Sequence, residues 1–311
     1  MSALPIVLTS GAWHGSWCWG DVALALAEQG IHSVAVELDG FGGLRGGSPA
    51  ARWARPFHHE AFLTEVSPVS KVTVASAADS LIADLMRIGQ GGPSILVAHS
   101  LGGVVATAVA EQAPELVAEL IYVSGMAPVS GISAAEYNFL PEMSDSLLMA
   151  NIVADPAATG ALRCDFDDLS RRGHARQTLY NDLSDDHASR ALSLLCSDAP
   201  VAVGVEKLTI SRTRYGAVPH TYVVCNRDNA LRPALQRRLI HEIDAVSTTG
   251  TKVAELDTSH SPFLSQPQAL ADIFAAAHRR TTTTEPSSVA ESTSTSSQAD
   301  SSENPQVRTE S

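Results

Sequence analysis

The stretch Gly92-Pro-Ser-Ile-Leu-Val-Ala-His-Ser-Leu-Gly-Gly103 constrains the fold more than any other part of the chain. Ser94 to Ala98 is a short apolar run with β-branched residues, launched by Gly-Gly-Pro, and it reads as a buried parallel strand. Directly after Ser100 and Leu101 come two glycines and the apolar run Val104 to Ala110, which Pro114 closes; this reads as a buried helix. A strand must therefore reverse into a helix through Ser100. Such a turn holds its central residue in an unfavourable backbone conformation, a strain of roughly 1–3 kcal/mol that persists where it serves a site. It also brings flanking backbone into close contact, which is why small residues stand at Ala98 and Gly102.

The remaining elements supply a sheet for that strand to join. Ile6 to Leu8 is a strand that runs into a glycine-containing turn, Ser10-Gly-Ala-Trp-His-Gly-Ser-Trp-Cys-Trp19. Asp21 to Gln29 reads as a helix stopped by Gly30, and Ser33 to Glu37 as the next strand, so the chain opens with a βαβ unit and a parallel sheet. Residues 45–70 carry three prolines with Trp53, Phe57 and Phe62, and such a long irregular loop is expected to line the mouth of a site. Ala78, Leu81, Ile82, Leu85 and Ile88 follow helical spacing, and Leu120 to Val123 reads as a buried strand.

From Met126 to about Ala217 the strand–helix rhythm stops. That region reads as helical, most clearly over Asp145 to Val153 and Asp186 to Leu195, and is expected to form a cap over the sheet's carboxyl edge. The rhythm returns with a strand at Thr221 to Cys225, a helix at Pro233 to Ile243, a strand at Thr251 to Leu256 and a closing helix from Pro267. The expected organisation is thus an α/β core over 1–125 and 218–280 with a helical cap at 126–217. In residues 281–311, 16 of 31 are Ser or Thr and none is aromatic, a composition that cannot offset its ordering entropy, so this tail is expected to be disordered.

Composition excludes several functions. Net charge is −13, from 34 acidic against 21 basic residues, which argues against a nucleic-acid partner. Four widely spaced cysteines form no C-x-x-C pair, so they are expected to be reduced core thiols of a cytoplasmic protein. The start of the chain lacks a basic leader, and no apolar run approaches the roughly 18 residues of a membrane span. The histidines, including the pair His58-His59, show no metal-ligand spacing.

A strand that breaks into a helix through one serine is the nucleophile elbow of serine hydrolases, here Ala98-His-Ser-Leu-Gly102 with alanine in place of the usual first glycine. A serine hydroxyl needs a base in reach and an acid to orient that base. In an open α/β sheet they are expected in the order Ser, Asp or Glu, His, each just past a strand. Asp228 follows the Thr221–Cys225 strand, and His260 follows the last strand. Asp257 is a rival acid, but it shares a loop with His260 only three positions on. His99 points off the turn and reads as a packing or hydrogen-bonding residue. A developing oxyanion needs two backbone N–H groups. Leu101 at the start of the elbow helix and Ala12 in the turn after the first strand are the candidates.

With these residues in place, the chain resembles α/β-hydrolases of the methylesterase and hydroxynitrile-lyase-like branch, close to bacterial carboxylesterases. The resemblance rests on Gly11-Ala-Trp-His-Gly-Ser-Trp-Cys-Trp19, the elbow, Asp228 with Pro233 and Gln236, and His260-Ser-Pro-Phe-Leu-Ser-Gln-Pro267, spanning residues 6 to about 275. It implies an α/β-hydrolase fold with Ser100 as nucleophile, His260 as base, Asp228 as acid, and Ala12 and Leu101 as oxyanion donors. One departure is that the family has His-Gly after its first strand where this chain has Ser10-Gly11. The expected activity is cofactor-independent hydrolysis of a small-molecule carboxylic ester through an acyl-enzyme. Hydroxynitrile lyases on this scaffold resemble one another in a lysine after the catalytic histidine, and Ser261 stands there instead. Receptors that resemble α/β-hydrolases often lose a triad member, whereas all three are present. The aromatics Trp13, Trp17, Trp53, Phe57 and Phe62 suggest an apolar pocket.

Overall fold

The computed structural model describes residues 4–128 and 131–283. Its centre is a six-stranded sheet built from β1 (Ile6–Thr9), β2 (Ser33–Val36), β3 (Ser94–His99), β4 (Val117–Val123), β7 (His220–Cys225) and β8 (Lys252–Leu256). The short β5 (Ala161–Arg163) and β6 (Asp198–Pro200) form a separate antiparallel pair. Strand order in the large sheet is β2-β1-β3-β4-β7-β8, and every pairing in it is parallel. The mostly parallel sheet flanked by helices agrees with the α/β architecture expected from the sequence.

Alternation along the strands sorts the core into two layers. Ile6, Leu8, Ile95, Val97, Ile121 and Val123 point to one face, where the helices Gly20–Glu28 and Pro267–Thr283 cover them. Val7, Leu96, Ala98, Leu120 and Tyr122 point to the other, under the helices Val74–Ile88, Gly102–Gln112 and Pro233–Val246. Burial on both faces is why β3 and β4 read as unbroken apolar runs. The edge strands differ: β2 is half-buried along its length, and β8 exposes Lys252, Val253 and Glu255.

Elements begin where local chemistry satisfies their first N–H groups. Thr73 caps the helix Val74–Ile88 in a reciprocal box with Ser76, and Asp168 and Ser184 cap the helices Leu169–Leu179 and Asp185–Ser193. The structure differs from the sequence reading in three places. Asp145 to Val153 holds only a single tight turn, Met149–Asn151. Its N–H groups serve other partners: Leu147 donates to the Asn229 carbonyl and Val153 to that of Arg163. The stretch between β4 and β7 also contains the β5–β6 ladder, whose three-residue strands are too short to show alternation. Residues 45–70 include the helix His59–Thr64.

The closing helix continues through Thr283, into the segment expected to be disordered; the rest of that segment, 284–311, lies outside the described residues. Among the described residues no helix is long and apolar enough to cross a membrane, and all four cysteines are unpaired.

Candidate active site

Ser100 sits where β3 ends, with a left-handed φ of +50°, the strained turn expected of it. The approach of neighbouring backbone is as close as the small residues implied. A Cβ on Gly102 would lie 2.5 Å from the Ser10 carbonyl oxygen, and one on Gly11 would lie 2.5 Å from Ser100 Cβ.

His260 and Asp228 come from the loops after β8 and β7, and parallel strands deliver both to the same edge as Ser100. His260 Nε2 is 2.9 Å from Ser100 Oγ, and His260 Nδ1 is 2.7 Å from Asp228 Oδ2. With Nδ1–H donating to the carboxylate, the Nε2 lone pair is left to accept the serine hydroxyl proton. Asp228 is fully buried and its carboxylate is saturated with donors. Oδ1 accepts the N–H groups of Ala230 and Leu231 at 2.7 and 2.8 Å. Oδ2 also accepts the Ser124 hydroxyl and Gln236 Nε2. Asp257, the rival acid, is largely exposed and faces Arg227 instead.

Ala12 and Leu101 line the same cavity as Ser100 and His260. Among the described residues neither backbone N–H has a hydrogen-bond partner. Leu101 precedes the helix Gly102–Gln112, so its N–H also gains from the helix dipole. Trp13, next to Ala12, has a φ of +65°, which marks this turn as strained like the elbow.

His99 is buried beside the elbow and donates from Nε2 to the His260 carbonyl at 2.8 Å. Burial, and then the neighbouring His260 and His14, hold its pKa well below the ordinary value, so it is neutral. His14 is likewise held down at about 4, chiefly by burial. Sequence reasoning missed Ser124, His14 and Tyr180 as members of the site. Ser124 could have been found as a small polar residue directly after β4, at the carboxyl edge that carries the other site residues.

The cavity over Ser100 measures about 130 Å³ and is walled by apolar residues from the stretch between β4 and β7, among them Met126, Phe139, Ile152, Leu162 and Val201. Of the aromatics expected to shape it, only Trp13 lines it. Trp53, Phe57 and Phe62 line a separate surface cleft with Arg52 and Asp167, because the 45–70 loop packs against the outside of that stretch. Among the described residues no cluster of three or more His, Cys, Asp or Glu side chains is placed to hold a metal ion.

Comparison with known proteins agrees with the fold. The family described as "Alpha/beta hydrolase family" matches residues 6–273. The chain is similar to putative methylesterase 12, chloroplastic, of Arabidopsis thaliana, at 28% identity over 280 residues, 86% of this chain and 70% of that protein. It is also similar to methylesterase 7 of the same plant, at 26% identity over 85% of this chain and 92% of that protein. Among solved structures it is similar to a pyrethroid hydrolase from Sphingobium faniae JZ-2, with a TM-score of 0.67 at 20% identity, covering 89% of this chain and 98% of that one. At that identity the likeness is one of fold. The chain belongs to the alpha/beta hydrolase family, and its similarities within the family run to the methylesterase-like branch.

Proposed function

We propose that this protein is a serine esterase that hydrolyses small, uncharged, apolar carboxylic esters through an acyl-enzyme. The observation that carries the reading is the unbroken chain from Asp228 through His260 to Ser100, at 2.7 and 2.9 Å, beneath an apolar cavity. The methylesterase names of the relatives support the esterase class.

In the proposed reaction Ser100 Oγ attacks the ester carbonyl carbon while His260 Nε2 takes the hydroxyl proton. The carbonyl oxygen gains the negative charge and is received by the N–H groups of Ala12 and Leu101. The C–O bond to the alcohol then breaks, and His260 returns its proton to the leaving oxygen. A water molecule, deprotonated by His260, attacks the acyl-serine; the second tetrahedral adduct collapses to free acid as His260 returns the proton to Ser100 Oγ. Asp228 holds the imidazole tautomer and stabilises the imidazolium formed in each half-reaction.

The cavity narrows the substrate class. Its lining contains no Lys, Arg, Asp or Glu, so an ionised substrate would lose its hydration without a partner. Its volume of about 130 Å³ is near the ~150 Å³ apolar cavity that holds one benzene ring, which fits one ring or a short branched chain. The lyase reading has less support: Ser261 stands after His260, and the lining offers no cation for a departing cyanide.

Neutral single-ring methyl and aryl esters, assayed with wild type and Ser100→Ala, test the proposal. Ser100→Ala should lose on the order of 10⁴-fold in kcat, and a fluorophosphonate should label Ser100 alone. Retained activity in Ser100→Ala, or faster turnover of esters that carry a second, ionised carboxylate, would overturn it.

A further inference from the structure

The loop that carries Ala12 is gripped from above by the stretch between β4 and β7. Tyr180, fully buried at the end of the helix Leu169–Leu179, donates its hydroxyl to His14 Nε2 at 2.7 Å. His14 Nδ1–H in turn donates to the Ala12 carbonyl at 2.8 Å. The directions of both bonds follow from protonation: burial keeps the Tyr180 phenol protonated and the His14 ring neutral. A neutral ring has one donor and one acceptor nitrogen; the Ala12 carbonyl can only accept, so the proton sits on Nδ1 and Nε2 receives the Tyr180 hydroxyl.

His14 thereby holds both peptide groups that flank Ala12. Its own backbone N–H donates to the Gly11 carbonyl at 3.2 Å, and its ring donates to the Ala12 carbonyl. In a trans peptide the N–H points opposite to the C=O. Fixing the Gly11 carbonyl therefore aims the Ala12 N–H the other way. The ring has little freedom to turn, with Trp17 stacked on it at 5.9 Å and His99 and Phe263 edge-on at 5.8 Å. Ser10 adds a bond from Oγ to the His14 carbonyl at 3.1 Å.

The same helix end reaches the other two catalytic loops. Ser259, beside His260, donates its N–H to Asp182 Oδ2 at 2.8 Å and its hydroxyl to the Leu179 carbonyl at 3.2 Å. Asn181 donates to the carbonyl of Arg227, beside Asp228, and Asn229 donates to that of Gln177, both at 2.9 Å. One short segment, 177–182, thus touches the oxyanion, acid and base loops.

We infer that Tyr180 is a positioning residue of the oxyanion site: acting through the His14 ring, it pins the peptide that follows Ala12, so that Ala12 is held on both sides and its N–H stays aimed, and it couples the segment 177–182 to catalysis. The inference rests on the esterase reading above. Loss of the Tyr180 hydroxyl leaves His14 Nε2 a buried acceptor without its donor and removes the contact that fixes the ring's position, which loosens the ring's bond to the Ala12 carbonyl. Removing one oxyanion donor outright costs roughly 10²–10³-fold in kcat, so misdirecting one is expected to cost about 10–100-fold.

The test is a cycle of Tyr180→Phe, His14→Gln and the double variant, with melting curves to select folded protein. Three readouts are needed: kcat and KM on a neutral ester, affinity for a trifluoromethyl ketone that forms a tetrahedral oxyanion adduct, and affinity for a product acid. Tyr180→Phe should lower kcat and ketone affinity by the same factor, with KM and product affinity within about threefold of wild type. Adding Tyr180→Phe to His14→Gln should cost nothing further, because both act through one ring. Unchanged kcat in Tyr180→Phe, equal losses for ketone and product acid, or multiplying losses in the double variant would each overturn the inference. Failure of the esterase reading is distinct: wild type would then be no more active than Ser100→Ala.

Discussion

The Ser124 hydroxyl donates to Asp228 Oδ2, the oxygen that also faces His260 Nδ1, and lies 3.3 Å from that nitrogen. Ser124 directly follows β4, has a left-handed φ of +41°, and is tied to β7 by its N–H donating to the Val223 carbonyl at 2.9 Å. One small side chain thus braces the acid from the strand next to the elbow. Ser124→Ala leaves the carboxylate with one donor fewer. A hydrogen bond to a charged group contributes about 1.5–3 kcal/mol, so kcat should fall roughly 10–100-fold, with KM little changed. Steady-state kinetics with Ser124→Ala and Ser124→Thr check this, and wild-type kcat in Ser124→Ala would contradict it.

Gly11 lies so close to the elbow that any side chain collides with Ser100 Cβ and comes within 3.0 Å of His99 Nδ1. Gly11→Ala must push the turn that carries Ala12 away from the serine. Overpacking of this kind costs about 1–3 kcal/mol of stability. A displacement near 1 Å at reacting groups costs about 10²-fold in rate. The expected variant folds with a lowered Tm and loses at least that factor in kcat. Full activity would mean that the turn yields elsewhere.

Acid should destabilise the fold through buried neutral histidines. Burial holds His14 and His220 at about 4, below the ordinary 6.5. Between pH 6.5 and 4 the unfolded chain therefore binds more protons, and unfolding becomes easier as pH falls. Their stabilisation is complete above 6.5 and is lost as pH drops through 4. At pH 5 each has lost roughly 2 kcal/mol. Urea melts at pH 7 and pH 5 should show this loss, and His220→Phe should remove its share. A stability independent of pH across that range would refute the assignment.

The β5–β6 pair is held by an ion pair with no exposure at either partner. Arg163 Nε and Nη2 donate to the two oxygens of Asp198 at 2.8 and 2.7 Å, and Nη1 donates to the carbonyls of Phe62 and Glu65. Removing one partner strands a buried charge, so Arg163→Met should cost about 3–5 kcal/mol. The double variant Arg163→Met with Asp198→Leu should recover much of that loss. Chemical denaturation of the two variants against wild type measures both effects, and a mild single variant would contradict the expectation.

The sequence by itself determined the sheet and the order of its chemistry. Buried strands and amphipathic helices write their periodicity into neighbouring residues, so β3, its elbow and the βα rhythm are legible locally. Parallel strands all end at one edge. Residues after β3, β7 and β8 must therefore meet there, which is why Ser100, Asp228 and His260 could be named beforehand. The pairings that hold them are not local. Ser124 reaches Asp228 across 104 positions, and Tyr180 reaches His14 across 166. The stretch between β4 and β7 differs from its sequence reading in the Asp145–Val153 turn, whose backbone bonds leave that segment, and in the three-residue strands of the β5–β6 ladder. Hydrogen bonds between distant segments leave no period in either one, so only the tertiary structure decides them.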